Sequence, residues 1–117
     1  MSYGIRDDNF YTVIGWMLNV LELKGNELIV FAIIYSFSQD GESEFTGSLT
    51  FLQTFANTSQ NTVMTYLRTL QEKNYVLKRE YVKNNVRRVA YRANLEYIDK
   101  LLRERADRIT PNNHLKN

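Results

Sequence analysis

The sequence predicts a small, mainly α-helical domain of the α+β class that ends in a β-hairpin and a closing helix. Its 117 residues are enough for one compact domain with one core. Apolar residues recur at helical spacing through most of the chain, and two strand-like runs flank the dipeptide Asn84-Asn85. Cysteine is absent, which excludes disulfides and thiolate metal sites.

The first half of the chain predicts the scaffold of the core. Residues 10–21 indicate an extended stretch followed by a short helix around residues 16–21. The apolar run 28–35 indicates a central helix, with Asn26 as its cap and Glu27 in its positive first turn. Residues 44–46 are a candidate short strand. The longest uncharged, apolar-rich run, 28–39, is too short for a membrane span, which needs about twenty residues.

The middle of the chain predicts two short helices that meet at a tight polar turn. Ser48 caps the first helix, whose residues 49, 52, 55 and 56 form one apolar face. Residues 57–59 all favour turns and caps. The second helix continues to residues 73–74, and its apolar side carries Val63, Met64, Leu67 and Leu70. This is a helix-turn-helix arrangement.

A hairpin and a last helix follow directly. Runs 75–82 and 86–92 are rich in strand-forming residues, and asparagine tolerates the positive φ that a tight hairpin turn demands. A closing amphipathic helix is expected near residues 94–109, and residues 110–113 are expected to end it. A helix-turn-helix followed by a hairpin is the winged-helix plan, so we expect a domain over residues 1–109 and a disordered tail over 110–117.

Charge is distributed unevenly along the chain. Residues 59–92 carry eight basic and two acidic side chains, whereas residues 1–58 carry two basic and seven acidic ones. A contiguous basic third of the chain indicates a polyanionic partner. The alternative is an ordinary solvated charged surface.

The second helix and the hairpin together suggest contact with double-stranded DNA. An α-helix fits the major groove, and the second helix presents short hydrogen-bonding side chains with a single arginine, whereas a purely solvated helix usually mixes Glu and Lys. The hairpin tip carries cations suited to phosphates or a minor groove, with a charge-protected edge as the alternative. The candidate DNA-binding residues are Ser59, Gln60, Asn61, Thr62, Thr65, Arg68, Thr69, Lys83, Asn84, Asn85, Arg87 and Arg88.

Enzymatic functions find little support in the sequence. The single histidine, His114, lies in the polar C-terminal segment, and no glycine-rich phosphate loop is present. We therefore expect no catalysis, no cofactor and no metal. The first eight residues do not resemble a signal peptide, so a cytoplasmic location is expected, with no membrane partner.

Several strings in the scaffold helices form a recognisable pattern. They are Trp16-Met17, Leu23-Lys24-Gly25-Asn26-Glu27-Leu28, Ala32-Ile33-Ile34-Tyr35, Phe37-Ser38-Gln39 and Gly47-Ser48-Leu49. These strings resemble the N-terminal helix-turn-helix domain of replisome-organiser and DnaD-like replication proteins from Firmicutes phages and mobile elements. The resemblance covers roughly residues 9–93 and implies a winged helix that binds origin DNA, self-associates and meets other replication proteins.

Three functions remain open from the residues themselves. They are a DNA-binding module in replication, a small transcriptional regulator, and a protein-interaction module that meets an acidic partner. We also expect a homodimer, since two copies double the readable DNA site. The dimer contact is predicted on one face of the closing helix, and packing of that face onto its own domain is the alternative. The face consists of Ile98, Leu101, Leu102 and Ile109.

Overall fold

The computed structural model describes residues 11–39 and 43–115, with side chains as far as residue 108. The fold is a winged helix-turn-helix, as predicted: a helical core, a two-stranded antiparallel hairpin and a closing helix. The elements are α1 Gly15–Asn19, α2 Gly25–Ser38, α3 Leu49–Ala56, α4 Gln60–Glu72, β1 Val76–Lys83, β2 Val86–Ala93 and α5 Leu95–Leu115. No helix in the described ranges combines the length and the apolar character needed to cross a membrane.

Helix α2 lies at the centre of the core, because residues 30–34 are all buried. It begins at Gly25, whose φ is +61°, and Lys24 at its N-cap makes no side-chain cap bond. Asn26 is therefore already inside the first turn, and the prediction that it caps the helix was wrong. Near the C-terminus of α2, the buried Ser38 donates to Ile34 O at 2.7 Å and accepts from Ala93 N–H at 3.0 Å. This hydroxyl ties the central helix to the base of the hairpin.

The polar turn between α3 and α4 forms as predicted. Ser48 accepts a hydrogen bond from Phe51 N–H, and Ser59 accepts one from Thr62 N–H. Asn57 at the end of α3 adopts a left-handed conformation with φ of 52°, which an asparagine tolerates. Helix α3 ends at Ala56 and α4 begins at Gln60, so the chain turns sharply and α4 packs across α2 and α3.

The hairpin pairs β1 with β2 in a register that sets Lys83 opposite Val86. The predicted strand at residues 44–46 is reduced to a single bridge, in which Phe45 and Tyr91 exchange backbone hydrogen bonds of 2.6 and 3.0 Å. This bridge attaches the hairpin to the segment that precedes α3.

The closing helix differs from its prediction in length and in contacts. Its backbone is helical to Leu115 and so continues past the predicted end at residue 109, while residues 116–117 of the expected tail lie outside the described part of the chain. Ile98 is only 1 % exposed, so it belongs to the core of its own domain and the prediction that it forms a dimer contact was wrong. Leu101 and Leu102 are half-buried against the same core, and the side chain of Ile109 is not among those described.

Short helix α1 is held to α5. It spans Gly15–Asn19, whereas residues 16–21 were expected. Residues 11–14 before it have no regular secondary structure, and Ile14 is extended. Arg105 on α5 donates to Asn19 O at 2.8 Å. The N-terminal prediction concerning residues 1–10 lies outside the described residues.

Candidate nucleic-acid interface

Helix α4 has one buried and one exposed side. Val63, Leu67 and Leu70 are at most 1 % exposed, so they fix the helix on the core. The cap residue Ser59 lies 2.9 Å from the hydroxyl of Thr62 and holds the first turn. Burial of one stripe leaves the opposite stripe free of packing constraints and open to solvent.

The predicted polar residues of α4 do not all offer the same chemistry. Gln60, Asn61 and Arg68 are exposed, and long amide or guanidinium groups can reach a ligand. Thr65 is exposed but donates to Asn61 O at 3.0 Å, and the half-buried Thr69 donates to Thr65 O at 3.0 Å. Both hydroxyl hydrogens are therefore occupied in the helix, and these threonines present acceptor lone pairs.

The wing, defined as residues 76–93, ends in a two-residue turn. Asn84 and Asn85 have φ of 54° and 63°, the left-handed values that the turn requires and that asparagine accepts. Both asparagines are exposed at the tip. Their backbone geometry brings the cations on either side of the turn close together in space.

The tip cations divide between the two faces of the wing. Since side chains alternate along a strand, the register places Lys83 and Arg88 on one face and Arg87 on the other. Arg87 Nη2 lies 3.5 Å from a carboxylate oxygen of Glu80 on the paired strand. Neither Lys83 nor Arg88 has an ion pair with another residue of the described ranges. Lys83 and Arg88 are therefore the stronger candidates for an anionic ligand.

Two of the eight basic residues in the segment 59–92 are neutralised by acids from the first half of the chain. Lys73 Nζ lies 3.1 Å from Glu27. Arg79 binds the carboxylate of Glu44 through two nitrogens, with a shortest distance of 2.6 Å. The hydrogen bonds from Arg79 hold the pKa of Glu44 below its ordinary value. The basic surface is consequently smaller than the sequence segment suggests.

A cleft of about 410 Å³ separates α4 from the wing. Its third wall is the segment 46–49, which leads into α3. Of its lining residues, the sequence identified only Arg87 and Arg88 as candidates, and among those that it missed are Met64, Lys78 and Tyr81. Met64 was expected in the core but is exposed. The sequence signal for its exposure was its position about 100° around the helix from the buried Val63. No local signal pointed to Lys78 or Tyr81, because the position of the wing against α4 depends on long-range packing.

The geometry of the helix pair agrees with a comparison against known families. A family model described as a helix-turn-helix domain matches residues 21–76, just under half of the chain. The matched segment contains α2, α3 and α4 and ends at the first residue of β1. A search of curated proteins finds no match. The helix-turn-helix match supports DNA binding by this chain.

Proposed function

We propose that the chain binds double-stranded DNA with α4 in the major groove and the wing against the phosphate backbone. The observation that carries the proposal is that α4 and the wing tip line one cleft, through Met64 on one side and Arg87 and Arg88 on the other. The polar side chains Gln60, Asn61 and Arg68 of α4 are exposed as well. Gln60 and Asn61 suit adenine edges, and Arg68 suits guanine or a phosphate. Lys83 and Arg88 suit phosphates. These side chains support a binding role.

Selection from a random duplex pool, followed by fluorescence anisotropy, tests this proposal. The wild-type chain is expected to bind random duplex at low salt and to bind the selected duplex more tightly. The double variant Gln60→Ala/Asn61→Ala should lose about 1–3 kcal/mol for each base contact on the selected duplex and little on random DNA. Asn19→Ala, an exposed amide on α1, is the matched control and should bind like wild type.

A chain that does not bind duplex DNA at low salt would contradict the proposal. The third function considered from the sequence, a protein-interaction module with an acidic partner, would then be favoured. Loss of affinity in the Asn19→Ala control would show instead that amide substitutions weaken binding by disturbing the fold, and not by removing base contacts.

For the biological process, we propose replication initiation or replisome organisation of a phage or mobile element. The support is the resemblance of residues 16–49 to replisome-organiser and DnaD-like proteins; a small transcriptional regulator would use the same fold. The selected DNA site separates the two processes when it is located in the source genome. A replication origin supports the first, and a promoter supports the second.

We also propose that two copies act together, since a single winged helix contacts few base pairs. Ile98 is excluded from the contact because it lies in the core. Sedimentation equilibrium at tens of micromolar tests the proposal. A single species of 13.8 kDa in the absence of DNA, together with one chain per duplex in its presence, would refute it.

A further inference from the structure

Met64 is the exposed apolar residue of α4. Its side chain is 41 % exposed, and it belongs neither to the core nor to the half-buried residues packed against the core. The other aliphatic residues of α4, Val63, Leu67 and Leu70, are all buried. Core packing therefore does not account for an apolar side chain at this position.

Met64 lies among the side chains proposed to contact bases. With 3.6 residues per helical turn, Asn61 and Arg68 lie one turn before and one turn after it on the same side of α4. Both are exposed, and Gln60 is exposed a turn away as well. A duplex that these polar groups reach must therefore also cover Met64. On its other side the cleft toward Val86 and Val89 leaves space beside the thioether.

The chemistry of the major groove offers one apolar group among the four standard bases, the C5-methyl group of thymine. A methionine side chain is unbranched and polarizable, so it adapts to a methyl group without a fixed geometry. We propose that Met64 contacts a thymine C5-methyl group and so determines specificity for an A·T pair at one position. This inference rests on the proposed binding of duplex DNA.

Replacing thymine by uracil removes this methyl group and leaves Watson–Crick pairing unchanged. The duplex selected by the wild-type chain is prepared with uracil at each thymine position in turn. At one position, uracil should weaken wild-type binding about fourfold, the equivalent of about 0.8 kcal/mol for one buried methyl group. Met64→Ala should bind the thymine duplex about fourfold more weakly than wild type and should not distinguish thymine from uracil.

Two further variants complete the design. Met64→Leu keeps an apolar contact and should retain the sensitivity to uracil. Leu18→Ala removes an exposed apolar residue from α1, 46 % exposed, and should behave like wild type on both duplexes. Circular dichroism confirms that each variant is folded.

Each outcome bears on the inference separately from the proposed function. If uracil has no effect at any position while duplex binding persists, the role of Met64 is refuted and DNA binding stands. If uracil weakens wild type and Met64→Ala equally, another residue reads the methyl group and the inference is again refuted. Absence of wild-type binding to any duplex would refute the proposed function and this inference together.

Discussion

Replacing Lys83 and Arg88 together by alanine is expected to flatten the salt dependence of duplex binding. Both side chains lie on one face of the wing, beside the tip, and neither is paired with an acid in the described ranges. A phosphate backbone that lies along this face meets both cations at once. The variant keeps the Asn84-Asn85 turn and removes no buried group, so the hairpin should remain folded.

The size of the effect follows from counterion release. Each phosphate contact contributes about 0.9 to the slope of log affinity against log salt concentration, so loss of both should flatten the slope by about 1.8. Between about 50 and about 200 mM salt, wild-type affinity should then fall about 12-fold further than that of the variant. Arg87→Ala should flatten the slope by less than about 0.9, because Glu80 lies 3.5 Å from Arg87 and already offsets its charge.

Fluorescence anisotropy on one random duplex over a salt series measures these slopes. The charge-matched control is Arg103→Ala/Arg108→Ala, which removes two exposed arginines from α5. Equal flattening in the control and the wing variant would show that total charge, and not the wing face, determines binding. A wing variant with the wild-type slope would refute the assignment of phosphate contacts to Lys83 and Arg88.

Three predictions concern the fold. Ile98→Ala should lower the free energy of unfolding by about 2–5 kcal/mol in urea titrations; a loss below 1 kcal/mol would contradict core burial. Glu44→Gln should lower the free energy of unfolding by at most about 1 kcal/mol at neutral pH. Because the pKa of Glu44 is lowered in the folded protein, this difference should disappear as the pH falls through that pKa. A difference in unfolding free energy that persists in acid would refute the ion pair with Arg79. Gly47→Ala places a Cβ 2.8 Å from the buried Phe45 ring and should lower the free energy of unfolding by about 1–3 kcal/mol. Unchanged stability would show that the ring can move.

Local signals in the sequence predicted most of the secondary structure of this chain. Ser48 and Ser59 identified the starts of α3 and α4, and Asn84-Asn85 identified the hairpin turn. Capping and turn formation depend on groups within three or four residues, so the residues themselves carry that information. The Asn26 cap was misplaced because Gly25, one residue earlier, adopts a conformation that lets the helix begin sooner.

The sequence determined the winged helix-turn-helix fold and the polar stripe of α4, since both arise from periodicity and neighbouring residues. Only the tertiary structure decided which charges are available. Lys73 is paired with Glu27, 46 residues away, and Arg79 with Glu44, 35 residues away, so a basic segment of sequence became a smaller basic surface. Tertiary packing likewise buried Ile98 and left Met64 exposed. Helical periodicity identifies an apolar face, but what covers that face depends on elements that are distant in the chain.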